Sequence, residues 1–434
     1  MAKKRYVQVG LGARSSMFRN ALLNEFRQYG DLLAICDINL GRLELAQKKL
    51  KEQSPDMKVK TYPAEQFEQM IAECKPDVVL VTTGPDCTHS DYICRAMKLG
   101  CDVVTEKPMT TDEIRCKKIL TTAAQTGKNV QVTFNYRYAP PRSQIKQMIQ
   151  DGLIGKVLSV HFEWMLDTRH GADYFRRWHR HRKNSGSLLV HKSTHHFDLV
   201  NWWLADVPEE IFCQGTRKFY TPENADAMGL QGRGERCRTC PVKDQCRFFL
   251  DLEKNEFHRT AYLECEQYDG YIRDRCVFAE EINIWDNMAV NVRYQSGAIL
   301  NYLLHAYSPY EGYRIAFNGT KGRLEHFACE NTYISGDESV PGELEKGNVT
   351  TTFIPEFSSP QEIEVCTGTG GHGGGDPVLL TDIFDPNAPA DPLNRKAHQR
   401  DGAYSILIGV AAAKSIDTKE MVRISELLGD APLG

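Results

Sequence analysis

The chain has 434 residues, 41% hydrophobic and 25% charged, with a formal net charge of −4. Those values describe a globular protein of two or three domains, because single cores seldom grow beyond about 250–300 residues. They exclude the strongly basic field of a nucleic-acid binder, and no apolar run reaches the roughly 18 residues of a membrane span.

The start, MAKKRYVQVGLG, lacks an apolar signal-peptide segment, so a cytoplasmic location is expected, with a processed leader outside this sequence left open. Residues 5–9 (RYVQV) read as a strand ending at Gly10. A helical pattern follows from Ser16 to Gly30, then a strand at 32–37, a helix from about Arg42, and a strand at 77–83. A helix from His89 to Leu99, a strand at 102–107, a helix at 112–126 and a strand at 129–134 complete the series. Strands alternating with helices of this length predict βαβ units on a parallel sheet, here over residues 1–137. Beyond PPRSQIKQMIQDG the pattern changes to long extended runs at 157–166, 288–296 and 298–307, which predict antiparallel strands. Residues 138–434 read as a second, α+β domain, with a polar, cysteine-bearing insertion at 214–285, a glycine-rich loop at 366–376 and a helix at about 400–415.

GLGARS (10–15) follows a strand and opens a helix. Gly10 permits the tight turn, and Gly12 lets backbone approach a pyrophosphate at the helix N-terminus. Ala13, Arg14 and Ser15 complete the turn, with Ser15 where the usual third glycine stands. Asp37 ends the second strand, where an acid hydrogen-bonds an adenosine ribose and repels a 2′-phosphate. This favours NAD over NADP; nearby Arg42 argues the other way.

The segment VVLVTTGPDCTHSDYICRAMKLGCDVVTEKPMTTDE (78–113) resembles the Gfo/Idh/MocA oxidoreductases through Glu106-Lys107-Pro108 and, in part, through the turn Gly84-Pro85-Asp86 with His89. NYR (135–137), KVLSVHFEW, HKSTHHFD and the C-terminal helix continue the resemblance. It implies a Rossmann domain followed by an α+β domain with a large open, mostly antiparallel sheet. It also implies cofactor contacts from Thr82, Pro85, His89, Glu106, Lys107, Asn135 and Arg137, and Lys107 between nicotinamide and substrate. Sugars, inositols and related polyols are the usual substrates, and dimers or tetramers are usual assemblies.

GSLLVHKSTHHFD (186–198) matches the family segment whose aspartate position is occupied here by His191 and whose histidine is His195. The two stand at i and i+4, on one helix face, while His196 points away. The resemblance makes His195 the general base, a role that suits a neutral imidazole. Lys107 then stabilises developing negative charge, His191 orients substrate or tunes His195, and Lys192 binds a hydroxyl. A zinc pair is the competing reading of His-x-x-x-His, but no glutamate lies between the histidines.

RCRTCPVKDQC (236–246) supplies Cys237, Cys240 and Cys246, and Cys276 follows. Four thiolates at this spacing suit a structural zinc, with an iron–sulfur cluster or four reduced thiols as alternatives. The other cysteines of the first third are scattered among strands and helices, as reduced core thiols are. Asp167, Arg169, His170 and Trp178, in a stretch rich in Arg, His and aromatics, are candidate sugar contacts, as is His372 in the glycine-rich loop.

The expected activity is NAD-dependent oxidation of a secondary hydroxyl of a sugar or glycoside, a glycoside 3-dehydrogenase among the options. A redox-neutral NAD-dependent glycosidase, working by oxidation, elimination, addition and reduction, is the alternative. A dinucleotide-binding sensor without turnover is the third.

Overall fold

The protein is described by a computed structural model covering residues 3–330 and 349–433. The first sheet runs in the order Ala397–His398, Val130–Val132, Asp102–Thr105, Val78–Val81, Lys4–Val9, Gly30–Asp37, Lys60–Pro63. Its six N-terminal strands are parallel, and Ala397–His398 adds an antiparallel edge from the far end of the chain. Val78–Val81 (VVLV) is buried throughout, as a β-branched run covered on both faces should be. Asn39 and Asp112 start helices Leu40–Gln53 and Glu113–Thr126 by accepting the N–H of Arg42 and of Arg115.

The strand order reverses beside Lys4–Val9, between its neighbours Gly30–Asp37 and Val78–Val81. Such a switch point leaves a crevice outside the carboxyl ends of the strands. Gly10 sits there with φ +89°, and a Cβ on it would lie 2.5 Å from Thr83 Cα. Gly10→Ala is therefore expected to cost roughly 2–5 kcal/mol, read as a lower urea midpoint at unchanged slope.

Among the described residues the second sheet has nine strands, in the order Gln361–Ile363, Val349–Pro355, Gly322–Cys329, Gly312–Gly319, Val157–Asp167, Ile299–Ser308, Asn287–Tyr294, Pro208–Thr216, Val422–Arg423. Among these strands the pairing of Ile299–Ser308 with Val157–Asp167 is parallel and the others are antiparallel. Asn287–Tyr294 alternates buried and exposed residues, the signature of one covered face. That face carries helices Ser193–Leu204 and Gln399–Thr418, tied in by Thr194 Oγ1 to Ser405 Oγ at 3.0 Å and by Cys213 N–H to Ser415 Oγ at 3.0 Å.

Residues 217–286 join the neighbouring strands Pro208–Thr216 and Asn287–Tyr294, so the insertion is one long connection. Buried Asp286 closes its base by accepting the backbone N–H groups of Lys218, Phe219 and Tyr220 at 2.6–3.0 Å.

Three local expectations change. The histidine segment forms two consecutive helices, Leu188–His191 and Ser193–Leu204, that meet at Lys192. The glycine-rich stretch enters helix Gly371–Phe384 through left-handed residues His372, Gly373 and Gly374. Lys60–Pro63 adds an edge strand that its short sequence does not announce.

Candidate active site

The glycine turn is built from both sides. Gly10 N–H donates to Cys36 O at 2.9 Å, and Thr82 Oγ1 donates to Gly10 O at 2.7 Å. A Cβ on Gly12 would meet no atom within 4 Å, which leaves the space a pyrophosphate needs. Ser15, in the usual third glycine position, is 1% exposed. Its hydroxyl donates to Gly12 O and accepts from Arg19 Nη1, so the serine is accommodated by hydrogen bonds. Asp37 accepts the N–H of Leu11 at 2.6 Å and of Asn39 at 2.7 Å, which holds it at the ribose end of the turn. These residues fit a dinucleotide, with Ala13 in the same turn.

Two X-Pro turns, at Gly84-Pro85 and Lys107-Pro108, lie past the ends of neighbouring strands Val78–Val81 and Asp102–Thr105. Buried His89 clasps them together. Its Nδ1 contacts Pro108 O at 2.8 Å and its Nε2 contacts Thr83 O at 2.8 Å. His89 therefore fixes the backbone of both turns relative to each other. Glu106 takes its place beside Arg14 at 3.4 Å.

Lys107 Nζ reaches His191 O at 3.3 Å, so the first domain's lysine meets the second domain's histidine segment. Burial lowers the Lys107 ammonium to about 8, opposed by Asp86 and Glu106. His191 Nδ1 lies 2.5 Å from Asp86 Oδ2. Burial raises the Asp86 carboxyl well above its usual range and holds the His191 imidazole well below its own. Both groups are driven toward neutrality, so the pair keeps one proton within its short contact.

His195 is 4% exposed and stacks on Tyr136, with ring centroids 4.1 Å apart. Its Nδ1 is buried without a hydrogen-bond partner among the described residues. Burial and the neighbouring cations Lys107 and Lys192 keep it neutral. His196 turns inward, with Nδ1 2.6 Å from Tyr302 OH and its ring stacked on Trp164.

The remaining candidates divide. Trp178 stacks on His179, meets His191 edge to face, and lies against Gly84. Lys192 donates to Tyr136 OH at 3.2 Å and stands 3.7 Å from Glu311, which also holds His170 at 3.1 Å. His372 contacts Asp376 at 3.0 Å and lies 5.8 Å, centroid to centroid, from Tyr136. Asp376 receives Arg14 in a two-pronged ion pair and Asn135 at 2.7 Å, so one second-domain carboxylate ties together two residues of the first domain. Asp167 caps helix Thr168–Arg176 by accepting the N–H of Arg169 and His170, while the Arg169 residue is exposed.

Arg137 departs from its expected cofactor contact. It is buried against Asp198, at 2.7 and 2.5 Å, and Asp401, at 3.1 Å, and braces the helices of the second domain. Arg42 is likewise committed to carboxylates, those of Asp37 and Asp269.

The zinc expectation is not supported. Cys237, Cys240, Cys246 and Cys276 line one small apolar cavity with Phe248 and Phe278, but among the described residues no three His, Cys, Asp or Glu side chains are placed to hold a metal. Arg176 Nη1 donates to Cys237 Sγ at 3.1 Å.

The sequence assigns no site role to Asp86, Tyr136, His179, Glu311 or Asp376. Asp86 had a signal, since an acid occupies the Gly-Pro-Asp turn, but its histidine partner lies 105 residues away.

Residues 4–134 match the profile "Oxidoreductase family, NAD-binding Rossmann fold", and residues 146–424 match "Oxidoreductase family, C-terminal alpha/beta domain". The chain belongs to the Gfo/Idh/MocA oxidoreductase family. Within this family it is 38% identical to a Bacillus subtilis protein named "Putative oxidoreductase YteT", over 98% of both chains. It is 30% identical over 127 residues to the D-glucoside 3-dehydrogenase of Escherichia coli, covering 29% of this chain and 34% of that one. Among solved structures, the WlbA dehydrogenase of Chromobacterium violaceum, in complex with NADH and UDP-GlcNAcA, superposes with TM-score 0.64 at 15% identity, over 97% of this chain and 96% of that one. The protein is thus a nicotinamide-dependent Gfo/Idh/MocA oxidoreductase with a Rossmann domain and a C-terminal α/β domain. Among the described residues no helix is long and apolar enough to cross a membrane.

Proposed function

We propose that the protein is an NAD-dependent dehydrogenase acting on a secondary hydroxyl of a sugar or glycoside. The observation that carries this reading is the meeting of Lys107 with the His191–His195 segment beyond the strand ends, beside the Asp86 turn. A bound nicotinamide supplies the hydride acceptor.

The residues divide the remaining work. As the carbinol C–H leaves with its electron pair, the hydroxyl O–H must break and the C–O bond become a carbonyl. His195, kept neutral by burial, takes that proton. Lys107 donates to the reacting oxygen and stabilises its developing charge. The His191 carbonyl accepts from Lys107 Nζ, and the Asp86 contact holds His191 in place. Trp178, His170, Lys192 and His372 are the residues proposed to meet a polyol, with Trp178 set edge to face against His191. Relatives that include sugar and inositol dehydrogenases support the substrate class. Self-association as a dimer or tetramer belongs to the same proposal.

His195→Asn is expected to reduce kcat by roughly 100- to 10,000-fold while NADH still binds, checked by a panel of glycosides with NAD and by fluorescence titration. An unchanged kcat rejects His195 as the base. Free sugar released without net NADH would assign the redox-neutral cycle in place of net oxidation.

A further inference from the structure

The insertion does more than decorate the second sheet, because its far end lies on the nucleotide site. Residues 256–269 pack on the start of helix Leu40–Gln53, directly beyond Asp37. Asn39, fully buried, caps that helix with Oδ1 and donates from Nδ2 to Cys265 O at 3.0 Å. A Cβ on Gly41 would lie 2.6 Å from the Tyr268 ring and 2.8 Å from Cys265 Sγ, so the arm sits against bare backbone. The arm is fixed at its root. Arg236 pairs with Glu266 at 2.7 Å and with Asp274 at 2.6 Å, and buried Arg273 pairs with Asp173 at 2.7 Å.

This packing brings Asp269 onto Arg42, the cation that the sequence sets against Asp37 at the ribose end. Arg42 forms a charged hydrogen bond with Asp269 and stands 3.6 Å from Asp37. The Arg42 and Asp269 side chains are only 12% and 14% exposed, so solvent screens the pair weakly. Two carboxylates therefore face one guanidinium. An arginine in this position serves a 2′-phosphate only when its fork is free. Here the fork is occupied by a residue of the other domain.

We propose that Asp269 is a cofactor-specificity residue: the insertion-borne carboxylate neutralises Arg42 and restricts the ribose pocket to dinucleotides with a free 2′-hydroxyl. The proposal rests on nicotinamide dinucleotide binding at the glycine turn and is independent of the substrate. Asp37 alone would leave Arg42 available to phosphate; Asp269 removes that option.

Titration of the full-length chain with NADH and with NADPH, followed by nicotinamide fluorescence, tests this without any substrate. The wild type is expected to favour NADH. Asp269→Ala and Asp269→Asn are expected to raise NADPH affinity relative to NADH by roughly tenfold or more, and Asp269→Glu to restore the preference. The asparagine variant keeps the shape of the side chain and guards against loss of the fold. NADH binding with an unchanged NADPH to NADH ratio in both variants overturns the role of Asp269 and leaves the cofactor reading intact. A wild type that prefers NADPH also overturns it, and a wild type that binds neither dinucleotide overturns both.

Discussion

Replacing Lys107 with alanine is expected to lower kcat by roughly a thousandfold while dinucleotide binding persists. Removal of one preorganised donor at a developing oxyanion accounts for most of that loss, and the freed Asp86–His191 pair adds to it. The pH profile separates a catalytic from a structural role. Lys107 is held near 8 by burial, so the ammonium is present below that value and lost as pH rises through it. If the cation is the working form, kcat/KM falls on the alkaline side of about 8. Lys107→Arg, charged throughout, should flatten that limb even at a lower maximum rate. His195 is held well below the usual imidazole range, so its own protonation limits activity only on the acid side. An alkaline limb unchanged in Lys107→Arg contradicts the assignment.

Arg137→Met is expected to destabilise the fold by roughly 3–5 kcal/mol. The substitution strands Asp198, which is 1% exposed and receives two of its hydrogen bonds from this guanidinium. Asp401, 38% exposed, can turn to water and adds little. The double variant Arg137→Met with Asp198→Leu should recover most of the loss, because a buried pair replaced by apolar groups is often near neutral. Urea unfolding of the two variants measures both terms. Loss of NADH affinity at full stability in Arg137→Met would return this residue to the cofactor site.

The contrast between these two residues shows what a sequence reveals. The alternation of strand and helix through residue 134 is readable because parallel strands are buried on both faces and appear as apolar runs such as VVLV. Lys60–Pro63 is not readable, since a four-residue edge strand has too few positions to show a period. Lys107, His191 and His195 are legible as motif residues. Their partners are not, because the contact between Asp86 and His191 depends on how the two domains meet. Arg137 lies one residue after the stacked Tyr136, and both meet helix Ser193–Leu204, Tyr136 at the His195 ring and Arg137 at the Asp198 carboxylate, a division of roles that spacing does not reveal. The grip of the insertion on Arg42 is likewise invisible to spacing, because the partners stand 227 positions apart.

The central claim is hydride transfer from a carbinol in the cleft shared by Lys107 and His195. A single-turnover experiment tests it most directly: the protein loaded with NAD is mixed with excess glycosides and polyols, and reduced nicotinamide is followed by absorbance. The account predicts a burst approaching one reduced nicotinamide per site with at least one member of the panel, lost in Lys107→Ala and His195→Asn. Demonstrated NAD binding with no reduced nicotinamide from any carbohydrate or polyol would contradict it.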